Sequence, residues 1–148
     1  MLRDKKIRIA NGQGFWGDSP QAPIDLVNHA DIDYLTMDYL AEVTLSIMQK
    51  QKNKNPEAGY ATDFIKFLEK SLSTIKDKKI KIITNAGGVN PIQCQQEILK
   101  IAKSLNINIK VATITGDDIF HNLNSFISKG VDFKNLDTGK NIEKVIND

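Results

Sequence analysis

Apolar positions along the chain fall into two alternating rhythms. Short β-rich runs occur at residues 7–10, 32–37, 80–84 and 109–115, each followed by a polar turn. Between them, apolar residues recur at helical spacing. Leu40, Val43, Ile47 and Met48 form one stripe, and Phe64, Phe67, Leu68 and Leu72 a second. Ile98, Ile101, Ala102 and Leu105 form a third, and Ile119, Leu123, Phe126 and Ile127 a fourth. Each stripe reads as a core-facing side. The dense apolar runs suit strands covered on both faces.

Start signals sharpen the helices. Asn90 is placed to cap, Pro91 suits the first helical position, and Gln93 stands at capping-box spacing. Ser19-Pro20 opens a short helix through Val27. Pro56 opens a helix to Ile75, after a turn at 52–55. From Gly130 onward the pattern thins to a short strand at 131–133, a turn at Asp137-Thr138-Gly139 and a weak helix from Asn141.

Strands alternating with helices predict an α/β fold, a parallel sheet with flanking helices. A Rossmann-like doubly wound sheet is the first reading and a partial (β/α) barrel the second. Ligands of open parallel sheets gather beyond the carboxyl ends of the strands. Four polar clusters lie there: Asn11 to Gly14, Asp38, Asn85, and Gly116-Asp117-Asp118.

The length of 148 residues suits one domain. A net charge of +2 gives no nucleic-acid footprint. Lys50, Lys52 and Lys54 read as a solvated helix end. The single cysteine, Cys94, excludes an intrachain disulfide and fits a reducing compartment. It lies near a helix start, which lowers a thiol pKa, but no histidine is close in sequence, so it reads as structural. No apolar run nears the ~18 residues of a membrane span, and the N-terminus lacks the apolar core of a signal peptide. The cytoplasm is the expected compartment.

The glycine-rich stretch Asn11 to Pro20 follows one strand and precedes a helix. Gly12 and Gly14 let backbone N–H groups approach an anion, and Trp16 offers an apolar wall. Its nucleotide-fold signal is weak, and Phe15 and Trp16 serve equally well as caps over the core. Asp38 and Glu42, at i and i+4, face one side of a helix. There they would act as acid and base or hold a divalent cation. The plain alternative is that Asp38 favours the helix start and Glu42 is solvated.

Asn85-Ala86-Gly87-Gly88-Val89-Asn90-Pro91 combines amides with a doubled glycine, as an oxyanion site requires. A tight turn explains Asn90-Pro91 but leaves Asn85 and the second glycine over. In Gly116-Asp117-Asp118 one aspartate suffices as a cap; the other would serve a metal or a substrate hydroxyl, or equally well stand solvated. His29 and His121 lack metal-ligand spacing and read as structural.

The motifs running from Asn11 to Asp18, Asp33 to Glu42, Asn85 to Pro91 and Thr115 to Asp118 resemble the acyclic terpene utilisation (AtuA) family. Pro56 to Ala61 and Asp63-Phe64 resemble it too. The resemblance implies a bacterial protein of acyclic terpene catabolism, such as that of citronellol and geraniol, whose route runs through coenzyme A thioesters. It implies that residues 1–148 form the N-terminal part of a longer architecture. The combined expectation is one rim site for an acyl-CoA or small oxygenated metabolite. Asp38, Glu42, Asn85 and Asp117 would do the chemistry. Gly12, Gly14, Trp16, Gly87, Gly88 and Asn90 would bind ligand. Asp38, Glu42, Asp117 and Asp118 are the metal candidates, with a divalent ion or a CoA thioester as cofactor. Expected partners are a small molecule, with no nucleic acid or membrane, and a second copy or a further C-terminal domain. A non-catalytic binding module and a truncated family member are the alternatives.

Overall fold

A computed structural model describes residues 6–142. They divide into two compact units, Met1–Ile114 and Thr115–Asp148. The first holds an open three-stranded sheet of β1 (Ile9–Gln13), β2 (Tyr34–Met37) and β3 (Lys81–Thr84), all parallel, in the order β1-β2-β3. Helices α1 (Ala22–His29), α2 (Glu42–Lys54), α3 (Thr62–Lys78) and α4 (Pro91–Ser104) flank it. This is the α/β architecture with a parallel sheet that the alternating pattern predicts, compatible with a Rossmann-like arrangement.

The register aligns Ala10, Leu35 and Ile82 in one row. Leu35 is sealed, and Ala10 and Ile82 pack against the same core. At that face α1 approaches β1 closely: a Cβ on Gly12 would lie 2.9 Å from Pro23 Cβ and 3.0 Å from the Leu35 side chain. Only glycine fits there. α3 packs on α1 and α4. Its Phe64, Phe67, Leu68, Leu72 and Ile75 are all buried, so this stripe faces the core as its spacing predicts. Burying each such side chain contributes about 1.5–3 kcal/mol.

The structure departs from the sequence pattern in several places. Among the described residues the opposite face of the sheet is open: Ile9 is 66% and Ile83 60% exposed. In α2 only Met48 is buried, while Val43 is 70% exposed and Ile47 is exposed as well. In α4, Ile101 and Ala102 are buried but Leu105 is exposed. α1 begins at Ala22 with Pro23 in its first turn, two residues beyond Pro20. Pro56 lies in the turn between α2 and α3, where the Asn55 side chain accepts the Glu57 N–H at 3.0 Å, and α3 starts only at Thr62. The turn also falls later than 52–55, because α2 runs on through Lys54.

Residues 109–115 form no strand. Ile107 and Ile109 pack on the core and Gln95 Nε2 donates to Val111 O at 3.1 Å, but Ile114 is bare. A β-branched run is only half of a strand; the other half is a neighbour to share its ladder.

The second unit contains a 3-10 turn at Phe120–Asn122 and the short helix α5 (Leu123–Ser128). Leu123 is buried and Phe126 meets Phe133 with ring centroids 6.5 Å apart. Ile119 of the same stripe is exposed. The turn near Asp137 is present: Asn135 Oδ1 accepts the N–H groups of Asp137 and Thr138. No strand forms at 131–133, only a single bridge between Lys134 and Asn141. The helix expected from Asn141 lies largely outside the described residues.

Candidate functional site at the strand ends

The carboxyl ends of all three strands are tied together. Asp38 N–H donates to Gln13 O at 2.9 Å, joining the end of β2 to that of β1. Asn85, just past β3, accepts Tyr39 N–H at 2.8 Å and donates through Nδ2 to Asp38 Oδ1 at 2.7 Å. Thr84 Oγ1 adds a bond to Met37 O at 2.8 Å. Asp38 is exposed. Its carboxyl is held below the usual aspartate range, first by the Asn85 amide and then by the Leu40 N–H. A carboxylate so held stays ionised near neutrality. It is a weak proton acceptor but a well-oriented hydrogen-bond acceptor.

Asp38 and Glu42 do not share a helix face. Residues 38–41 precede α2, which starts at Glu42 with Thr44 Oγ1 bonded to Ala41 N–H and Ala41 O. The Asx bond from Leu40 N–H to Asp38 Oδ1 at 3.0 Å favours this non-helical turn over another helical turn.

Gly12 near the end of β1, with Gly14 and Gly17 in the loop to α1, carry Gly-x-Gly-x-x-Gly spacing, a stronger nucleotide-fold signal than the weak one read from the sequence. The structure uses the turn otherwise. Gly14 N–H donates to Asp18 Oδ2 at 3.0 Å, and Ser19 N–H to Asp18 Oδ1 at 2.7 Å. These two donors pull the Asp18 carboxyl down from its ordinary range. The chain's own carboxylate thus occupies the anion position at Gly14, and Gly12 is enclosed by Pro23 and Leu35. Trp16 is half-buried against the core, with Nε1 donating to Asp63 Oδ1 at 2.9 Å. Phe15 is exposed.

The second glycine of Gly87-Gly88 has a packing cause. Gly88 has φ +53°, and a Cβ there would lie 2.3 Å from Met48 Sδ and 2.6 Å from Gly59 O. Its N–H donates to Asn85 O at 3.1 Å, so it is not free for an oxyanion. Asn90 is the residue before α4 but makes no side-chain cap. Its Nδ2 instead donates to Pro56 O and Ala58 O, both at 2.8 Å, and fastens the α2–α3 turn. Gln93 completes no capping box; its amide bonds to Glu97 at 3.1 Å.

Asp117 and Asp118 belong to the second unit, where Asp118 Oδ1 accepts Phe120 N–H at 3.0 Å. Among the described residues no group of three or more His, Cys, Asp or Glu is arranged to hold a metal ion. Cys94 is buried, and burial, with the charge of Glu97, pushes its thiol up to about 11. Desolvation outweighs the helix start, as for an inert structural cysteine. His29 ends α1 at the surface, and His121 meets Phe120 edge-on at 6.1 Å.

Tyr39 and Gln13, both buried at this end of the sheet, escape the sequence pattern. With Lys66 and Lys70 they line a cleft of about 120 Å³. Their adjacency to Asp38 and Gly12 was the available signal. A wider hollow of about 330 Å³ lies at the opposite end of the strands, bordered by His29 and Lys78. None of the candidate ligand or catalytic residues borders it, and Lys78 Nζ is already bound to Val27 O and Asn28 O at 2.7 Å each.

No helix among the described residues is long and apolar enough to cross a membrane. Comparison with curated proteins and with solved structures gave no match. Residues 7–148 match the family described as acyclic terpene utilisation family protein AtuA. With nearly the whole chain matched, and the three strand-end motifs of the first unit tied into one rim, the chain belongs to the AtuA family of acyclic terpene utilisation proteins.

Proposed function

We propose that this chain binds, and in its working form transforms, a small oxygenated metabolite or acyl-CoA of acyclic terpene breakdown at the carboxyl rim of its sheet. The Asp38–Asn85 pair carries the reading. Asp38 offers an oriented, ionised acceptor for a ligand hydroxyl. Asn85 Nδ2 has two N–H groups and gives one to Asp38, leaving a donor for a ligand carbonyl. An acceptor beside a donor suits a hydroxyl or carbonyl compound. The test is a panel of citronellol, geraniol, the corresponding acids and their CoA thioesters, scored for binding and turnover. Asp38→Asn should abolish turnover, or weaken binding at least tenfold, while the melting temperature barely moves. A panel member handled equally by the wild type and Asp38→Asn defeats the assignment.

A non-catalytic accessory module is the second reading. The exposed Ile9 and Ile83 on the uncovered sheet face favour it. In that case no panel member is turned over, and substitution of Ile9 and Ile83, rather than Asp38, removes partner binding.

A further inference from the structure

The cleft beside the rim lies between the start of α1 and the first half of α3. One wall is apolar: Pro23, Ile24 and Phe67. The polar lining is Tyr39, Gln13, Asp63, Lys66 and Lys70. Tyr39 is only 1% exposed, yet its hydroxyl makes no hydrogen bond among the described residues. Ser71 Oγ is the sealed side-chain atom without a partner there; the Tyr39 hydroxyl keeps its access through the cleft it lines. Open to the cleft, that hydroxyl takes solvent or a ligand as its partner, so it is a donor available to a bound molecule.

The charges point the same way. Lys66 and Lys70 stand at i and i+4 on α3 and make no ion pair among the described residues. Like charges at that spacing repel, and an anion between them reverses the sign. Asp63, the one carboxylate in the lining, keeps its charge while accepting the Trp16 indole N–H, so the two lysines leave the lining with one positive charge in excess. The volume, about 120 Å³, is somewhat below the ~150 Å³ of a cavity that holds benzene. It suits a ligand of roughly six non-hydrogen atoms.

We propose that this cleft binds a short-chain aliphatic monocarboxylate. Its carboxylate answers the Lys66 and Lys70 ammonium groups and the Tyr39 hydroxyl, and its hydrocarbon chain lies on Pro23, Ile24 and Phe67. Asp38 is not part of this lining, so the site stands or falls apart from the rim reading.

Trp16 is the only tryptophan in the sequence, and its bond to Asp63 makes it a reporter at the cleft. Its fluorescence is titrated with sodium butyrate at fixed ionic strength, against butanol and butylammonium. Butyrate should give a saturable change with a millimolar midpoint, and the other two should not. The surface substitutions Lys66→Gln and Lys70→Gln together should raise the midpoint at least tenfold with unchanged circular dichroism. Tyr39→Phe should raise it about threefold or more. Asp38→Asn should move it less than twofold. Equal response to butanol, an unchanged midpoint in the double lysine variant, or loss of butyrate binding in Asp38→Asn would overturn the proposal.

Discussion

Asn85 holds Asp38 and the backbone of Tyr39 at once, giving a 2.7 Å bond to the Asp38 carboxylate and taking a 2.8 Å bond from the Tyr39 N–H. One amide side chain therefore fixes both the charge at the rim and the path by which β2 leaves the sheet. The two ends of that side chain do different work, so substitutions at position 85 separate them.

Asn85→Ala removes both bonds and leaves the Tyr39 N–H without its acceptor. The expected destabilisation is about 1–2 kcal/mol, read by urea denaturation. The Asp38 carboxyl, held below its ordinary 3.8 chiefly by Asn85, should climb back part of the way, since the Leu40 N–H remains. A group whose folded pKa is depressed stabilises the fold above its unfolded pKa. That contribution is lost as pH falls through the folded value. Wild type should therefore lose this increment progressively as pH falls through 3.8 toward the lower folded value, and Asn85→Ala should have less of it to lose. Carbon-13 titration of Asp38 Cγ reads the shift directly; identical midpoints in the two proteins would contradict it.

Gly88→Ala tests whether the doubled glycine is there for packing. The added methyl would meet Met48 Sδ at 2.3 Å and Gly59 O at 2.6 Å, in a left-handed backbone conformation. A methionine tip can move and a carbonyl in a turn cannot. The expected cost is about 2–4 kcal/mol. Adding Met48→Ala should recover only part of the clash, so the double variant should show measurable coupling but remain less stable than Met48→Ala alone.

These residues also mark how far the sequence could be read. The α3 stripe was legible because Phe64, Phe67, Leu68 and Leu72 bury together on a helix that packs on two neighbours. The stripe leading into α2 looked the same on paper, but only Met48 is buried and Leu40 half-buried at the core, while Val43 and Ile47 are exposed, and apolar spacing cannot say which face meets a partner. Residues 109–115 have the composition of a strand but gain no ladder. Asp38 and Asn85 were each legible as polar residues at strand ends. Their bond is not, because it depends on β2 and β3 being neighbours in register. Reading Asp38 with Glu42 failed for a local reason: the Asx turn to Leu40 delays the helix. Tyr39 was hidden beside Asp38, since nothing in the sequence says that this tyrosine is buried and lines a cleft.

Ser71 should respond in the opposite direction to most core positions. Its hydroxyl is sealed in the interior with no hydrogen-bond partner among the described residues. Ser71→Ala removes an unpaired polar atom, keeps the volume nearly constant and raises helix propensity. Stability should rise by about 1 kcal/mol, or roughly 3–5 °C in Tm. A fall in Tm on calorimetry would mean that the hydroxyl has a partner in solution.

Cys94 provides a test of the core that needs no substitution. Burial and the nearby Glu97 carboxylate place its thiol at about 11, so at pH 8 only about one molecule in a thousand carries the reactive thiolate. Aromatic disulfide reagents should label native protein at pH 8 far more slowly than urea-unfolded protein, by at least two orders of magnitude. If labelling proceeds through local opening, its native rate should fall when Ser71→Ala stabilises α3 and rise when Gly88→Ala loosens the turn before α4. Equal rates for native and unfolded protein would show that Cys94 is accessible, and would contradict its burial in the core where α4 packs on α3.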